Sequence, residues 1–260
     1  MLSDKERSEA ADTIQEAFRT KTPALQLSTQ YPHIELEDSY AISGIVTERR
    51  VAEGVRLIGH KVGLTSKAMQ AASKIDEPDF GYLLEDCMLE EGAEVDHSNF
   101  CVPRVEPELT FVLGKPLKGP GVTLIDVLRA TEYVVPSIEI IDARVQEPRK
   151  IFDTVADNGA AAGLILGGRP VGPMDVDLRW VGAILYRNSG IEETGIAAGV
   201  LGHPANGVAW LANKLATMGT TLEPGHMVLS GSFTRPVWAD PGDTLHADFG
   251  PLGGVSVKFN

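Results

Sequence analysis

The amino-acid sequence predicts an α+β fold, with a helical amino-terminal part followed by a larger domain rich in β-strands. Two changes of pattern along the chain support this prediction. Residues 1–55 carry apolar residues at helical spacing in segments that are otherwise rich in charge. Residues 56–260 carry short apolar runs separated by glycine and proline, as is typical of strands joined by turns. Such segregation of helices and strands favours α+β over an alternating α/β architecture.

The helical part is predicted from one start signal and two apolar stripes. Ser3 and Glu6 have the spacing of a capping box, in which each side chain satisfies a backbone amide. The first stripe consists of Ala10, Ile14, Ala17 and Phe18. After a loop bracketed by Pro23 and Pro32, the second stripe consists of Tyr40, Ala41, Ile45 and Val46. We therefore expect two amphipathic helices before residue 55.

The β-rich part begins near Leu57. Strands are predicted for the runs TFVLG, YVVPSIEII, AAGLILGG and WVGAILYRN, and again for MVLSG, RPVWA, TLHADFG and VSVKFN. Two helices interrupt them. One begins after Thr123, because threonine is a good N-cap, and the other begins at Pro204, because proline fits the first helical turn.

Composition excludes several functional classes. The chain has 260 residues and a formal net charge of −13, with 36 acidic and 23 basic residues. Binding to nucleic acid or to an anionic membrane needs a basic face, so we expect neither. The amino terminus has no apolar core of signal-peptide length, and no run reaches the roughly 18 apolar residues of a transmembrane helix. With only Cys87 and Cys101 as cysteines, we expect a cytoplasmic protein without disulfides.

Three glutamates form the candidate metal site. Glu106 and Glu108 are two residues apart in PRVEPELTFVLG, so on a strand both side chains project from one face. Glu139 lies in the apolar run VVPSIEIID, where an ionised carboxylate needs a cation or strong hydrogen bonds. Three carboxylates without histidine or cysteine nearby favour Mg²⁺ or Mn²⁺. From spacing alone, the alternative is two surface glutamates and a buried salt-bridge partner.

A second candidate cluster lies upstream, in IGHKVGLTSKAMQ. Lys61 is flanked by Gly59 and Gly63, which allow a ligand or another backbone segment to approach closely. Such a lysine can transfer a proton or bind an anion, and the alternative is a solvated lysine on an exposed strand. His60 projects from the opposite face. The loop DEPDFG carries Asp79, either as the acid or base of a mobile lid or as part of an acidic surface turn.

Several motifs occur in the order found in one enzyme superfamily. They are GHKVGLTSKAMQ, EPDFG, PRVEPE, the glutamate within VVPSIEIIDAR, DN before a run of small residues, LGHPANGVAWLANKLA and GSFTRPV. Over residues 35–260 the chain resembles the hydratase and decarboxylase branch of the fumarylacetoacetate hydrolase superfamily. This resemblance implies a mixed β-sandwich or roll, with the three glutamates as ligands of Mg²⁺ or Mn²⁺. It further implies that Lys61 is an active-site lysine and Asp79 the acid of a lid segment.

The same resemblance implies the chemistry. The substrate would be a small 2-oxo acid or its 2-hydroxydienoate form, the reaction would add water to give a 4-hydroxy-2-oxo acid, and the protein would be a homo-oligomer. Decarboxylase-like members are expected to carry serine after the Asp-Asn pair, whereas this chain has Ala160, Ala161 and Ala162, which favours hydration. Decarboxylation, C–C bond hydrolysis and a non-enzymatic scaffold with a vestigial site stay open as alternatives.

The segment GSFTRPV predicts which acid is bound. Arg235 can bind a second, distal carboxylate through two parallel hydrogen bonds, and Ser232 and Thr234 are further candidate contacts. This favours a dicarboxylate over a monocarboxylate of the pentadienoate type. The alternative is that Arg235 forms an exposed loop salt bridge, while the two hydroxyls satisfy a turn.

Overall fold

Helices occupy the first part of the chain and strands dominate the rest. The structure, a computed structural model, describes the backbone of residues 1–260 and the side chains of residues 1–71 and 73–260. The helices are α1 (Asp4–Thr20), α2 (Leu27–Gln30), α3 (Leu36–Ala52), α4 (Lys67–Ser73), α5 (Leu124–Ala130), α6 (Ile151–Ala156) and α7 (Pro204–Ala216). Among the described residues, none of these helices has the length and apolar character needed to cross a membrane.

Thirteen strands form two sheets. The strands are β1 (Leu57–Gly63), β2 (Asp79–Leu84), β3 (Met88–Leu89), β4 (Ala93–Val95), β5 (Pro103–Leu113), β6 (Thr131–Asp142), β7 (Ala161–Leu166), β8 (Gly182–Arg187), β9 (Gly190–Ile196), β10 (Met227–Leu229), β11 (Val237–Trp238), β12 (Thr244–Asp248) and β13 (Gly254–Phe259). The larger sheet has the order β2-β1-β10-β5-β6-β7-β3, with β11 also paired to β5. The smaller has the order β4-β13-β12-β8-β9.

The two sheets share one hydrophobic core. Leu109 and Ile138 of the larger sheet lie in the same buried cluster as Leu245 and Val257 of the smaller one. Strands contribute side chains to it at alternate positions, because successive residues of a strand face opposite sides of the sheet. The predicted α+β class, with its β-sandwich or roll, is confirmed.

The amino-terminal helices pack around a smaller core of their own. Helix α1 begins with the predicted capping box, in which the Ser3 hydroxyl accepts a hydrogen bond from the Glu6 amide. Buried residues of α1 and α3 share this core with two residues that follow β6; the core includes Ala10, Ile14, Ile42, Val145 and Ala156. The division into a helical part (1–55) and a catalytic domain (56–260) stays a prediction, since this core joins residues of both.

One member of the first stripe was wrongly predicted. Phe18 is 41% exposed, whereas Ala10, Ile14 and Ala17 are buried. The ammonium of Lys21 lies 4.0 Å from the centre of the Phe18 ring, so the ring faces a cation at the surface rather than the core.

Strands β5 and β6 form a long antiparallel pair that positions the glutamates. Glu106 lies directly opposite Glu139, and Glu108 lies opposite Ser137. Residues directly opposite each other in an antiparallel pair share a face, as do residues two apart on one strand. The pairing register therefore brings Glu106, Glu108 and Glu139 together on one face of the larger sheet.

Candidate active site

The three predicted glutamates form a compact acidic cluster. One carboxylate oxygen from each of Glu106, Glu108 and Glu139 lies within 4.8 Å of the others. One oxygen of Glu108 accepts a hydrogen bond of 2.8 Å from the Gly231 amide. Both oxygens of Glu139 are buried and have no hydrogen-bond partner among the described residues. Since buried carboxylates are normally satisfied, this oxygen-only set fits a hard divalent cation.

The electrostatics of the cluster agree with this geometry. Burial raises the pKa of Glu139 to about 8; the charge of Lys61 opposes this rise, and the charge of Glu106 adds to it. Burial, together with Glu139 and Glu106, also raises the pKa of Glu108 well above its usual value. The cluster therefore holds more negative charge than the surrounding protein compensates, and a bound cation removes that excess.

Lys61 reaches this cluster from β1. Its ammonium donates a hydrogen bond of 3.0 Å to the Gly159 carbonyl and lies 3.6 Å from a Glu139 oxygen. Burial lowers the pKa of Lys61, but the surrounding carboxylates, Glu139 first, outweigh that effect and raise it. The lysine is therefore a buried cation and not a solvated side chain. His60 projects to the other side of β1, with its ring centre 5.3 Å from that of Tyr82.

Asp79 lies beside Lys61, but not in a loop. It is the first residue of β2 and pairs with Gly63 of β1, so the predicted loop placement is wrong. The side chain is buried, and its Oδ1 has no hydrogen-bond partner among the described residues. A Cβ atom on Gly63 would lie 2.1 Å from this oxygen, so only glycine leaves room for it. Burial raises the pKa of Asp79, and Lys61 opposes the rise.

A left-handed turn fixes the partner of Lys61. Asn158, Gly159 and Ala160 have φ angles of 56°, 60° and 61°. The Asn158 side chain accepts a hydrogen bond from the Tyr82 amide (2.7 Å) and donates one to the Tyr82 carbonyl (2.9 Å), which ties the turn to β2. Left-handed residues other than glycine are costly and are found preferentially at functional sites. Here they aim the Gly159 carbonyl at Lys61.

The predicted substrate contacts lie at the rim of the same cavity. Ser232, Thr234 and Arg235 all line it. The Ser232 hydroxyl accepts a hydrogen bond of 3.2 Å from the Thr234 amide, as in a turn. The Arg235 side chain is 80% exposed, and its guanidinium lies 2.5 Å from a Glu193 carboxylate. The geometry therefore agrees with the alternative of a loop salt bridge, while the substrate-binding role of these residues stays a prediction.

The cavity contains functional groups that sequence reasoning missed. Its volume is about 1000 Å³, and Arg104, Arg149 and Lys150 line it together with Lys61, Asp79, Glu106 and Glu108. Burial and the nearby positive charge of Arg149 lower the pKa of Arg104. Strand alternation would have identified Arg104, since it is two residues before Glu106 on the same face. The Gly159 carbonyl and the Gly231 amide are backbone groups, so the type of residue at these positions does not predict their role.

Comparison with known proteins gives consistent matches. The chain is 54% identical over 256 residues to 2-oxo-hept-4-ene-1,7-dioate hydratase from Escherichia coli, which covers 96% of each chain. It is 37% identical over 259 residues to 2-keto-4-pentenoate hydratase from Paraburkholderia xenovorans, covering 99% of this chain and 96% of the other. The structure matches 4-oxalocrotonate decarboxylase from Pseudomonas putida, complexed with magnesium and adipate, with a TM-score of 0.98 and 33% identity, covering 100% of this chain and 99% of the other. No family model matches the chain.

Proposed function

The chain belongs to the hydratase and decarboxylase branch of the fumarylacetoacetate hydrolase superfamily, and from this premise we propose that it is a metal-dependent hydratase of a 2-oxo-enoate dicarboxylate. Its similarity to the 1,7-dioate hydratase over nearly the whole chain is the observation that carries the proposal. The substrate is of the 2-oxohept-4-ene-1,7-dioate type, and the product is a 4-hydroxy-2-oxo acid.

The reaction requires two proton transfers and one water. The 2-hydroxydienoate form of the substrate loses the proton of its 2-hydroxyl and gains one at carbon 5, which gives the conjugated 2-oxo-3-ene. The oxygen of water then bonds to carbon 4 as the water loses a proton, and a proton is delivered to carbon 3. Negative charge builds up on the 2-oxo oxygen during both steps, so a site that places positive charge there accelerates them.

The cofactor is a divalent cation, Mg²⁺ or Mn²⁺, and Glu106, Glu108 and Glu139 would hold it. When bound, it supplies Lewis-acid polarisation of the 2-oxo group. The fit rests on the buried oxygens of Glu139 that lack a partner among the described residues and on the all-oxygen donor set. A metal is also present in the structure of the decarboxylase relative.

Lys61 and Asp79 are the proposed acid and base of the site. The Lys61 ammonium is oriented by the Gly159 carbonyl and has further protons to donate, so it can deliver one to the substrate. The carboxyl of Asp79 lies on the neighbouring strand at the same cavity and can accept a proton. Both side chains are buried, which holds them in place and limits access of bulk water.

Decarboxylation is the second candidate, because the structural match to 4-oxalocrotonate decarboxylase covers the entire chain. Both reactions use a 2-oxo acid whose ketone must be polarised. The products differ, since a hydratase adds one water and a decarboxylase releases carbon dioxide.

One assay tests the proposal. The purified protein would be incubated with Mg²⁺ and either a five-carbon monocarboxylate or a seven-carbon dicarboxylate 2-hydroxydienoate, with products identified by NMR. We expect the water adduct of the dicarboxylate, and we expect EDTA to stop its formation until Mg²⁺ is restored. Release of carbon dioxide, or full turnover in EDTA, would reject the proposal.

Homo-oligomer formation and a cytoplasmic location are further parts of the proposal. Exposed Ile191 and Ile196 lie on β9, the edge strand of the smaller sheet, and exposed Trp180 precedes that hairpin. Large apolar side chains exposed at and near an edge strand favour contact with a second copy. Light scattering after size-exclusion chromatography would measure the mass. Cys87 and Cys101 are both free, as is usual in a reducing compartment.

A further inference from the structure

Arg104 is a partly buried cation with unused hydrogen-bonding capacity in the cavity of the candidate active site. Its Nε is buried and has no hydrogen-bond partner among the described residues. Leaving a buried polar group unpaired is costly, and more so for a charged one. A fully buried arginine, Arg144, shows the usual arrangement: its guanidinium donates to the side chain and carbonyl of Asp157 and to the Ala161 carbonyl. Arg104 therefore differs from a structural arginine in having a free donor.

Arg104 is placed to contact one end of a ligand whose opposite end binds the proposed metal ion. Arg104 precedes Glu106 by two residues on β5, so both side chains face the same cavity. Two residues of strand span about 6.6 Å, which is comparable to the length of a short carbon chain. The guanidinium lies 4.9 Å from the ring centre of Trp238, its direct partner on β11. This stacking holds the guanidinium in one orientation.

A second arginine reaches the same end of the cavity. Arg149 lines it, its side chain is 11% exposed, and it donates a hydrogen bond of 2.7 Å to Glu147. Lys150 lines the cavity next to it. The carboxylates whose charges act on Arg104 are Glu106, Glu147 and Asp142. Glu106 belongs to the acidic cluster, Glu147 pairs with Arg149, and Asp142 accepts hydrogen bonds from two backbone amides. No hydrogen bond joins any of the three to the Arg104 guanidinium among the described residues.

We propose that Arg104, with Arg149 beside it, binds the distal carboxylate of the substrate. This inference rests on the proposed function and deepens it by assigning the residues that select a dicarboxylate. The metal end of the cavity binds the 2-oxo acid head, and the guanidinium pair binds the carboxylate at the other end of the chain. Planar guanidinium groups bind carboxylates through two parallel hydrogen bonds, which gives geometric specificity as well as affinity.

Arg235 is the competing assignment from the sequence. Its side chain is largely exposed and already paired with Glu193, so a substrate carboxylate there would compete with both water and an existing ion pair. Arg104 is more deeply buried and its Nε is unpaired, so a carboxylate that binds it gains a hydrogen bond without displacing a described protein partner.

Binding of two unreactive ligands tests the assignment separately from turnover. The ligands are 2-oxoheptanedioate and 2-oxoheptanoate, which share the head and the chain length and differ only in the distal carboxylate. Calorimetric titration in Mg²⁺ would give the ratio of the two dissociation constants for the wild type and for Arg104→Met, Arg149→Met and Arg235→Met. Arg179→Met is the matched control, because Arg179 is a surface arginine paired with Asp177 away from the cavity.

We expect the wild type and Arg179→Met to prefer the dicarboxylate. Arg104→Met should reduce that preference by about 10- to 150-fold, the range for charge-assisted hydrogen bonds, and Arg149→Met by about tenfold because Glu147 shares its charge. Circular dichroism checks that each variant is folded, and the two single variants test the site independently. An unchanged ratio in both, or loss of the preference in Arg235→Met alone, would overturn the assignment. Absence of hydration with an intact binding preference would instead reject the hydratase proposal.

Discussion

Two groups of buried carboxylates in this protein have opposite surroundings. Asp38 lies on helix α3 of the amino-terminal part. One of its oxygens accepts hydrogen bonds from the Leu2 amide (3.0 Å) and from the Arg7 guanidinium (2.7 Å). The other accepts one from the Glu35 amide (2.9 Å). At the candidate active site, both oxygens of Glu139 are buried without a hydrogen-bond partner among the described residues, and the Lys61 ammonium lies 3.6 Å from one of them. The same type of side chain is thus fully satisfied in one region and left open in the other.

The pKa values follow this difference. Burial alone would raise the pKa of Asp38, but its hydrogen bonds with Glu35, Arg7 and Leu2 together lower it. Burial raises the pKa of Glu139 to about 8, although Lys61 is close by. Burial by itself therefore does not distinguish a structural carboxylate from a candidate functional one. The two are distinguished by whether hydrogen-bond donors surround the carboxylate.

The largest expected effect comes from removing a proposed metal ligand. Glu139→Gln replaces a charged oxygen donor by a neutral one, so we expect kcat/KM to fall by about a thousandfold or more, since a bound cation contributes several kcal/mol to charge stabilisation. The rise of Tm on adding Mg²⁺ should also disappear. Thermal unfolding with and without Mg²⁺ measures the second effect.

The control is a buried carboxylate on helix α6 that has hydrogen-bond donors. Asp153 is also a buried carboxylate, and it accepts hydrogen bonds from the amide and the hydroxyl of Ser28 at 2.8 and 2.7 Å. Asp153→Asn should keep its response to Mg²⁺. An equal Mg²⁺ response in the two variants would remove the distinction between the two groups of carboxylates.

The next effect concerns the cation beside the glutamates. Lys61→Met should lower kcat by about a hundredfold if the ammonium transfers a proton, while the fold is retained. Lys214→Met is the matched control, since Lys214 is a part-buried lysine that pairs with Glu77 at 2.7 Å. Steady-state kinetics separate the roles: a rise in KM with unchanged kcat would make Lys61 an anion-binding residue.

A smaller effect is expected on stability. Asp38→Asn removes charge-assisted hydrogen bonds to Arg7, so the free energy of unfolding should fall by about 1–3 kcal/mol. Glu139→Gln, measured in EDTA, should reduce it less, because Glu139 makes no hydrogen bond for the amide to lose and only its ion pair with Lys61 at 3.6 Å is removed. Urea unfolding of both variants gives the comparison directly. Equal losses of stability would show that Glu139 has donors that the geometry does not reveal.

The smallest expected effect is a pH dependence of the unfolding free energy that arises from Asp38. The pKa of Asp38 is lowered in the folded state, so its contribution to stability is present above the unfolded pKa of about 3.9 and is lost as pH falls through the folded value. The difference in unfolding free energy between wild type and Asp38→Asn should therefore be larger at pH 7 than at pH 3. A difference that is constant with pH would show that the charge of Asp38 is not responsible.

Sequence patterns predicted most strands and two of the clustered glutamates that lie on them. Glu106 and Glu108 were found because strand faces alternate, and that rule depends only on spacing within one element. Convergence of Glu139 and Lys61 on the same site depended on the strand order β1-β10-β5-β6 of the larger sheet, which no local pattern encodes. Here the resemblance to a known superfamily supplied what spacing could not.

The errors have physical causes as well. Asp79 was placed in a loop because proline and glycine surround it, yet pairing with β1 makes it the first residue of a strand. Phe18 fits the helical stripe by spacing, but cations at the surface cover its ring. In both cases a tertiary contact outweighed the local preference.

The long-range hydrogen bonds of the site bear on how the protein is made. Lys61 bonds to Gly159 across 98 residues of sequence, and Glu108 to Gly231 across 123. During synthesis, all three glutamates leave the ribosome well before Gly231, so the donor that orients Glu108 comes last. Contacts so distant in sequence form slowly, because long loops must close first. If Mg²⁺ binds only the assembled site, mass action shifts the folding equilibrium toward the native chain, and we expect the yield of folded protein to rise with the Mg²⁺ supply.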